Sequence, residues 1–225
     1  MTISIHTIPL GVDNCYILRG DGTILIDGGA PKKVKRFTDA LRRLSIKPED
    51  VRLIVLTHGH WDHIGSAREI QEVTGAPIAM HGREKDCLEK SLILLPPGVT
   101  TWGNLFVKFM SIFMPLIHIP ATGVNIVLND EEFSLAEYGI PGRIIHTPGH
   151  SRGSVSVLLE NGDAFVGDLA MSGFPLRFTP GLPILADDIT EVRRSWELLL
   201  DKGAKTAYPA HGKPFSADII RKTLV

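Results

Sequence analysis

The stretch Thr57-His58-Gly59-His60-Trp61-Asp62-His63-Ile64-Gly65 sets three imidazoles and a carboxylate within six consecutive positions, directly behind the apolar run Val51-Arg52-Leu53-Ile54-Val55-Leu56. The chain has nine histidines, unevenly spread. His58, His60 and His63 cluster, whereas His150 and His211 each lie in a glycine-flanked stretch, TPGHSRGS and YPAHGKP, that reads as a loop. Glycine beside such a group lets the backbone turn tightly and approach a ligand without steric cost. Asp168, in FVGDLA at the end of a predicted strand, completes the set. These nitrogen and oxygen donors suit zinc and, less selectively, iron or manganese. An apolar interior does not collect imidazoles beside carboxylates without an ion to compensate them. We therefore read His58, His60, Asp62, His63, His150, Asp168 and His211 together as candidate metal ligands. His6, His81, His118 and His146 are read as hydrogen-bonded core residues.

Spacing constrains how the cluster folds. His58 and His60 are two residues apart and point the same way at the frayed end of a strand, and His63 reaches the other side of Asp62 only if the chain turns between them. The cluster is expected to be a loop. The helical motif H-E-x-x-H is absent, since the residue four after His58 is Asp62 and Gly59 disfavours helix.

The elements that must hold these groups follow from periodicity. Short runs rich in β-branched residues alternate with stretches of helical period, the pattern of a layered α/β domain. Strands are predicted at Ile3–Ile8, Asn14–Arg19, Thr23–Ile26, Arg52–Leu56, Ile78–Met80, Arg143–Thr147, Val155–Leu159 and Ala164–Val166. The turns Gly20-Asp21-Gly22 and Asn161-Gly162 read as hairpins, which makes the sheets mixed. Helices are predicted at Pro31–Leu44, Ile64–Thr74, Arg83–Leu94 and Asp188–Lys202. With 225 residues, 44% of them hydrophobic and 22% charged, one globular domain over 1–225 is expected. A formal net charge of −1 without a basic stripe speaks against nucleic-acid partners. Cys15 and Cys87 lie far apart, outside any C-x-x-C pattern, and read as buried thiols. The N-terminal MTISIHTIPLGVDNCYIL has no basic leader or cleavage pattern, so a cytoplasmic protein is expected.

HGHWDH, then TPGHSRGS, then the GD of FVGDLA, then AHG, in that order, resemble the metallo-β-lactamase superfamily of metal-dependent hydrolases. The opening NCYILRGDGTILIDGG is similar to that family's first hairpin with its Asp-Gly-Gly turn. The resemblance implies a four-layer αβ/βα sandwich of two mixed sheets flanked by helices, with the site at the edge where loops of both sheets converge. It also implies two metal ions, zinc first, with iron or manganese as substitutes. His58, His60 and His150 would hold one, Asp62, His63 and His211 the other, and Asp168 would bridge them. Asp27 would steady the ligand loop. Two ions sharing a water ionise it near neutrality, so no side-chain nucleophile is required, and Asp62 would orient that water and shuttle its proton.

The class so implied is a dinuclear hydrolase of a thioester, ester or lactone, glyoxalase II-like in its HxHxDH motif. The alternatives are a mononuclear non-haem iron oxidoreductase of the persulfide dioxygenase type and a phosphodiesterase. Departures from branches of the family narrow the substrate. A bridging Asp168 is foreign to the antibiotic-hydrolysing members, Met171 stands where acyl-homoserine lactonases carry tyrosine, and the helical thioester-binding extension of the hydroxyacylglutathione hydrolases has no counterpart after His211. What is distinctive is an apolar insertion at about 95–122. Leu105 to Ile119 carries one charge, Lys108, is too short to span a membrane, and is bent by Pro115. Leu105, Phe109, Ile112, Phe113 and Leu116 fall on one helix face, which is expected to cover something, and Phe174, Pro175, Leu176 and Phe178 would form a facing wall. Three roles stay open for the insertion: a lid over a hydrophobic acyl substrate, a homodimer interface, or a peripheral membrane contact.

Overall fold

A computed structural model of the chain describes residues 2–224. Its first sheet is β1 (Ser4–Pro9), β2 (Asn14–Arg19), β3 (Thr23–Ile26), β4 (Val51–Val55), β5 (Ile78–His81) and β6 (Ile126–Leu128), paired in that order. Its second comprises β7 (Phe133–Ser134), β8 (Gly142–His146), β9 (Val155–Leu159), β10 (Asp163–Ser172), β11 (Thr206–Gly212) and β12 (Phe215–Ser216), again neighbours in sequence order. Both are mixed: β1 to β3 run antiparallel and β3 to β6 parallel, while in the second sheet only β10 and β11 are parallel. The helices are α1 (Val34–Arg43), α2 (Trp61–Ile64), α3 (Ala67–Thr74), α4 (Lys85–Glu89), α5 (Thr101–Ser111), α6 (Ile189–Asp201) and α7 (Asp218–Leu224).

Period-two alternation sorts each strand between two cores. In β3, Ile24 and Ile26 enter the core between the sheets and Leu25 the core under the helices; in β4, Leu53 and Val55 do the former and Ile54 the latter. The inter-sheet core brings Tyr16, Leu18 and Leu53 against Ile144, Val157 and Phe165. Outside the first sheet, Phe37 and Leu41 of α1 and Ile70 of α3 cover Leu25, Ile54 and Ile78. Outside the second, Val192, Trp196 and Leu199 of α6 cover Leu158, Ala164 and Val166. Trp196 is fully buried, and its indole N–H donates to the Leu169 carbonyl at 2.9 Å. Helix, sheet, sheet and helix therefore stack in the four layers expected. Both cysteines are buried free thiols.

Several boundaries differ from expectation. The helix expected from Pro31 begins at Val34, because Lys32 takes a left-handed φ of 64°. That expected over Ile64–Thr74 divides into α2 and α3 at Gly65-Ser66, where Gly65 packs directly on Pro31. Arg83–Leu94 yields only the five-residue α4, since Ser91 turns to a φ of 54° and stops it. The strand expected at Ala164–Val166 continues to Ser172, paired with β11, a strand not expected at all. Short β6, β7 and β12 and the terminal α7 were likewise not expected. Among the described residues no helix is long and apolar enough to cross a membrane.

A buried hydroxyl contact helps join the sheets at their crossing: the Tyr16 phenol on β2 donates to the Pro209 carbonyl on β11 at 2.6 Å. Tyr16→Phe leaves that carbonyl without this donor and is expected to cost about 1–2 kcal/mol. Urea unfolding of the metal-free protein measures this; an unchanged midpoint would show that the contact contributes nothing.

Candidate metal centre

Each ligand-bearing segment is fixed by the element it leaves. The chain runs out of β4 at Val55 and passes Thr57, whose carbonyl accepts from Val155 N–H at 2.8 Å and so ties the first sheet to β9. His58 and His60 follow in extended backbone, and α2 then turns the chain so that Asp62 and His63 lie on one helical turn. The open loop expected here is corrected in that respect: His63 and Ile64 N–H both donate to the His60 carbonyl, closing the turn in spite of Gly59. His150 sits in the loop between β8 and β9, Asp168 within β10, and His211 within β11.

The structure brings all seven predicted groups together at one edge of the sandwich. The ligand atoms of His58, His60 and His150 lie within 4.8 Å of one another, as do those of Asp62, His63 and His211, and those of His58, His63 and Asp168. His150 Nε2 is 3.0 Å from His60 Nδ1. Asp168 spans both trios: Oδ1 is 3.5 Å from His63 Nε2, and Oδ2 is 3.5 Å from His150 Nε2 and 3.4 Å from His211 Nε2. Asp62 Oδ2 is 3.4 Å from His211 Nε2. His58 Nε2, His63 Nε2 and Asp168 Oδ1 are buried without any hydrogen-bond partner. Buried polar atoms are rarely left so, and three of them aimed into one space fit a cation there.

The opposite ring nitrogens of His58, His63, His150 and His211 are engaged, which fixes their tautomers. His63 Nδ1–H donates to Asp27 Oδ2 at 3.0 Å, His150 Nδ1–H to the Leu185 carbonyl at 2.8 Å, and His211 Nδ1–H to the Val12 carbonyl at 3.2 Å. Asp27 Oδ1 also accepts from the Thr57 backbone N–H at 2.8 Å and hydroxyl at 2.9 Å, and the Thr57 hydroxyl oxygen lies 3.1 Å from His58 Nδ1. One carboxylate thus orients His63 directly and His58 through Thr57. Asp27 holds a left-handed φ of 64° to do so, backbone strain of about 1–3 kcal/mol that its hydrogen bonds offset. These bonds leave Nε2 as the free donor of His58, His63, His150 and His211, whereas His60 presents Nδ1.

The electrostatics of the metal-free chain divide the site in two. Burial, reinforced by neighbouring imidazoles, holds His58 well below the ordinary histidine range; burial and His150 lower His60 to about 3, and burial lowers His150. That trio is neutral and ready to coordinate. Burial opposes protonation of His63 and His211 too, but Asp27 and Asp168 beside the first, and Asp168 and Asp62 beside the second, outweigh it and raise both well above the usual value. Protons there stand in for a cation.

A model of the metallo-β-lactamase superfamily matches residues 8–211. The chain belongs to that superfamily. A probable metallo-hydrolase of Methanocaldococcus jannaschii, MJ0888, is 30% identical over 89% of this chain and 87% of its own. The probable metallo-hydrolase YflN of Bacillus subtilis is 25% identical over 96% and 88%. Among solved structures, the BLEG-1 B3 metallo-β-lactamase superposes with a TM-score of 0.73 at 22% identity, covering 96% of this chain and 95% of that one, and shares its fold. The superfamily protein ST1585 of Sulfolobus tokodaii does so with a TM-score of 0.65 at 24% identity, covering 100% and 86%.

As in the expectation for the core histidines, His81 is buried and donates to Asp130 at 3.1 Å, stacked on His146 with centroids 4.4 Å apart. These three could in principle hold an ion. The Arg83 guanidinium, 2.8 Å from Asp130 Oδ2 and 3.2 Å from His146 Nε2, already supplies the cation. His118 is exposed, contrary to expectation, and His6 only half-buried.

The apolar insertion reaches the site, but not by the face expected. Leu105, Phe109, Ile112, Phe113 and Leu116 are exposed; it is Phe106 and Met110, on the other side of α5, that line a cleft of about 240 Å³ over the metal edge. Leu94, Leu95, Leu176 and Leu185, with Val12, Trp61, Pro96, Met171 and Pro175, complete its wall, and His60, Asp62, His150, Asp168 and His211 form its floor. Phe174 and Phe178, expected in the facing wall, point outward instead.

Sequence reasoning missed Glu84. Its buried carboxylate accepts from Gly59 N–H at 3.0 Å and from Gly153 N–H at 2.8 Å, so it clamps the loops of His58/His60 and His150 to each other. A Cβ at Gly59 would lie 2.8 Å from Glu84 Oε2, and one at Gly153 would lie 2.6 Å from its Cγ, so only glycine permits the approach. No local pattern marks such a residue. Asp13 was also missed. It is buried in the first hairpin with Oδ1 unpartnered, and burial pushes its carboxyl up to about 7.

Two outcomes follow. Glu84→Gln replaces one acceptor with an amide N–H and is expected to weaken divalent-metal binding by about 10–100-fold in chelator competition; an unchanged affinity would show that the clamp is not needed. Because ligation requires neutral imidazoles, an ion held by His58, His60 and His150 should release no proton near neutrality, whereas one held by Asp62, His63 and His211 should release those of His63 and His211, so affinity at the latter trio rises with pH. Calorimetric titration in buffers of differing ionisation heat, on His150→Ala and His211→Ala variants, reads this directly, and equal release by the two variants would contradict it.

Proposed function

We propose that this metallo-hydrolase cleaves a neutral, apolar acyl thioester, ester or lactone, and that two divalent ions, zinc by preference, serve it. The observation that carries this reading is the composition of the cleft. Among the described residues lining it there is no Ser, Thr, Cys, Tyr, Lys or Arg. A wall of Leu, Phe, Met, Pro, Val and Trp over a floor of imidazole and carboxylate offers an apolar acyl group a dry surface and gives a phosphodiester no cationic side chain.

His58, His60 and His150 would hold one ion, Asp62, His63 and His211 the other, with Asp168 shared. When bound, the pair supplies Lewis acidity and a water ionised near neutral pH. The chain's own part is to place and protect that chemistry. Leu94, Phe106, Met110 and Leu176 hold the acyl part and exclude bulk water. His150, held from behind by the Leu185 carbonyl, keeps its part of the floor rigid. Asp62 reaches the cleft with its Oδ2 turned to His211, a place from which a carboxylate can accept a proton from the attacking water and return it to the leaving group. With no side-chain nucleophile in the cleft, the acyl group passes to water without a covalent acyl-protein stage.

The test is a hydrolysis panel of thioesters, esters, lactones and phosphodiesters with zinc-loaded and manganese-loaded protein, His60→Ala as the blank, and metal content by mass spectrometry. Expected are two zinc per chain and a kcat/KM that rises with acyl length, up to roughly fourfold per methylene buried, until the cleft is filled. One iron with oxygen uptake, or phosphodiesters as the sole substrates, would overturn the reading. Asp62→Asn is expected to lower kcat by at least tenfold beyond any loss of metal; a loss strictly proportional to metal content would make Asp62 a ligand alone.

A further inference from the structure

Helix α5 is apolar on more than one side, a property of helices buried all round, yet one side of it faces solvent. Phe106 and Met110 turn to the cleft, while Leu105, Phe109, Ile112, Phe113 and Leu116 stand between 42% and 74% exposed. Across from them, Phe174 is 77% and Phe178 90% exposed, with ring centroids 5.8 Å apart. The two segments are held together: Trp102 Nε1–H donates to the Pro175 carbonyl at 3.0 Å, and Phe106, Val107 and Leu176 share a small core with Met171 and Ile184. The outer apolar surface therefore runs on from the cleft mouth, where Leu94, Met110 and Pro175 belong to the lining.

Charge is distributed to match. Neither 90–129 nor 169–186 contains an aspartate or glutamate, although the chain has 25, and both carry cations, Lys108 and Arg177 among them. Lys108 is exposed beside Leu105 and Trp102. A face with Trp, Phe and Leu, no carboxylate and a lysine at its margin suits an anionic lipid interface. A second copy seated over it would close the mouth that must admit substrate, and α5, with 11 residues, is too short to span a bilayer.

We propose that this face docks on an anionic phospholipid surface, with α5 and the 173–178 segment in the headgroup boundary and the cleft opening toward the lipid. The docking itself does not depend on the hydrolase reading; only its consequence does, namely that amphiphilic acyl substrates reach the metal edge from the membrane. Full-length protein is mixed with vesicles of phosphatidylcholine alone or with phosphatidylglycerol, and binding is read by co-sedimentation, with size measured by light scattering in parallel. Wild type is expected to bind the anionic vesicles. Lys108→Gln should weaken that binding about fivefold without changing binding to neutral ones, and Phe109→Ser with Phe113→Ser should weaken it at least tenfold. Hydrolysis of a short, water-soluble acyl thioester should be the same in these variants, which separates loss of docking from loss of the site. Absence of vesicle binding by wild type overturns the proposal, as does a dimer that the Phe variant converts to monomer with no vesicle binding.

Discussion

Five imidazoles and two carboxylates buried within a few ångströms of one another set the problem that the rest of the fold answers. Without a cation such groups cost far more in lost hydration than they recover from each other. The backbone carrying them must resist its own electrostatics, and here it does so by ties from behind. Asp27 holds Thr57 and His63, Glu84 holds Gly59 and Gly153, and the Val12 and Leu185 carbonyls hold His211 and His150. Each tie reaches across the chain, so the geometry of the site is a property of the folded sandwich and not of any single loop.

The sheets divide the labour. The first supplies His58, His60, Asp62 and His63 from the end of one strand; the second supplies His150 beside β8, Asp168 from β10 and His211 from β11. Neither trio is complete on one sheet. The core of Tyr16, Leu53, Val55, Val157 and Phe165 between the sheets is thus what sets the spacing between ligands, and close packing transmits small shifts in it to the metal edge. The backbone bond from Val155 to Thr57 repeats the constraint at the site itself.

The ligand set was legible because its chemistry is written in residue type and local spacing. What was not legible depended on distance or on direction. Glu84 looks like any helix-flanking acid until the fold brings Gly59 and Gly153 to it. Periodicity identified an apolar face on α5 but could not say which side would turn inward, since Phe106 and Met110 are as apolar as Leu105 and Phe109. β11 was hidden because Thr206–Gly212 carries Pro209 and His211 and lacks the alternation of a strand; its pairing with β10 supplies what its sequence does not. The four-residue α2 forms against the local preference of Gly59 because the His63 and Ile64 N–H groups both find the His60 carbonyl.

The apolar wall and the polar floor act on each other. A cleft lined by Leu94, Leu95, Phe106, Met110 and Leu176 lowers the local dielectric above the ligands, which strengthens every charge interaction beneath it. The same dryness keeps His58, His60 and His150 neutral and so available to a metal. A polar or cationic wall would admit water and oppose any cation at the floor electrostatically. The apolar surface of the cleft and the readiness of the imidazoles to coordinate therefore arise from one feature, the placement of α5 and its neighbours over the ligand edge.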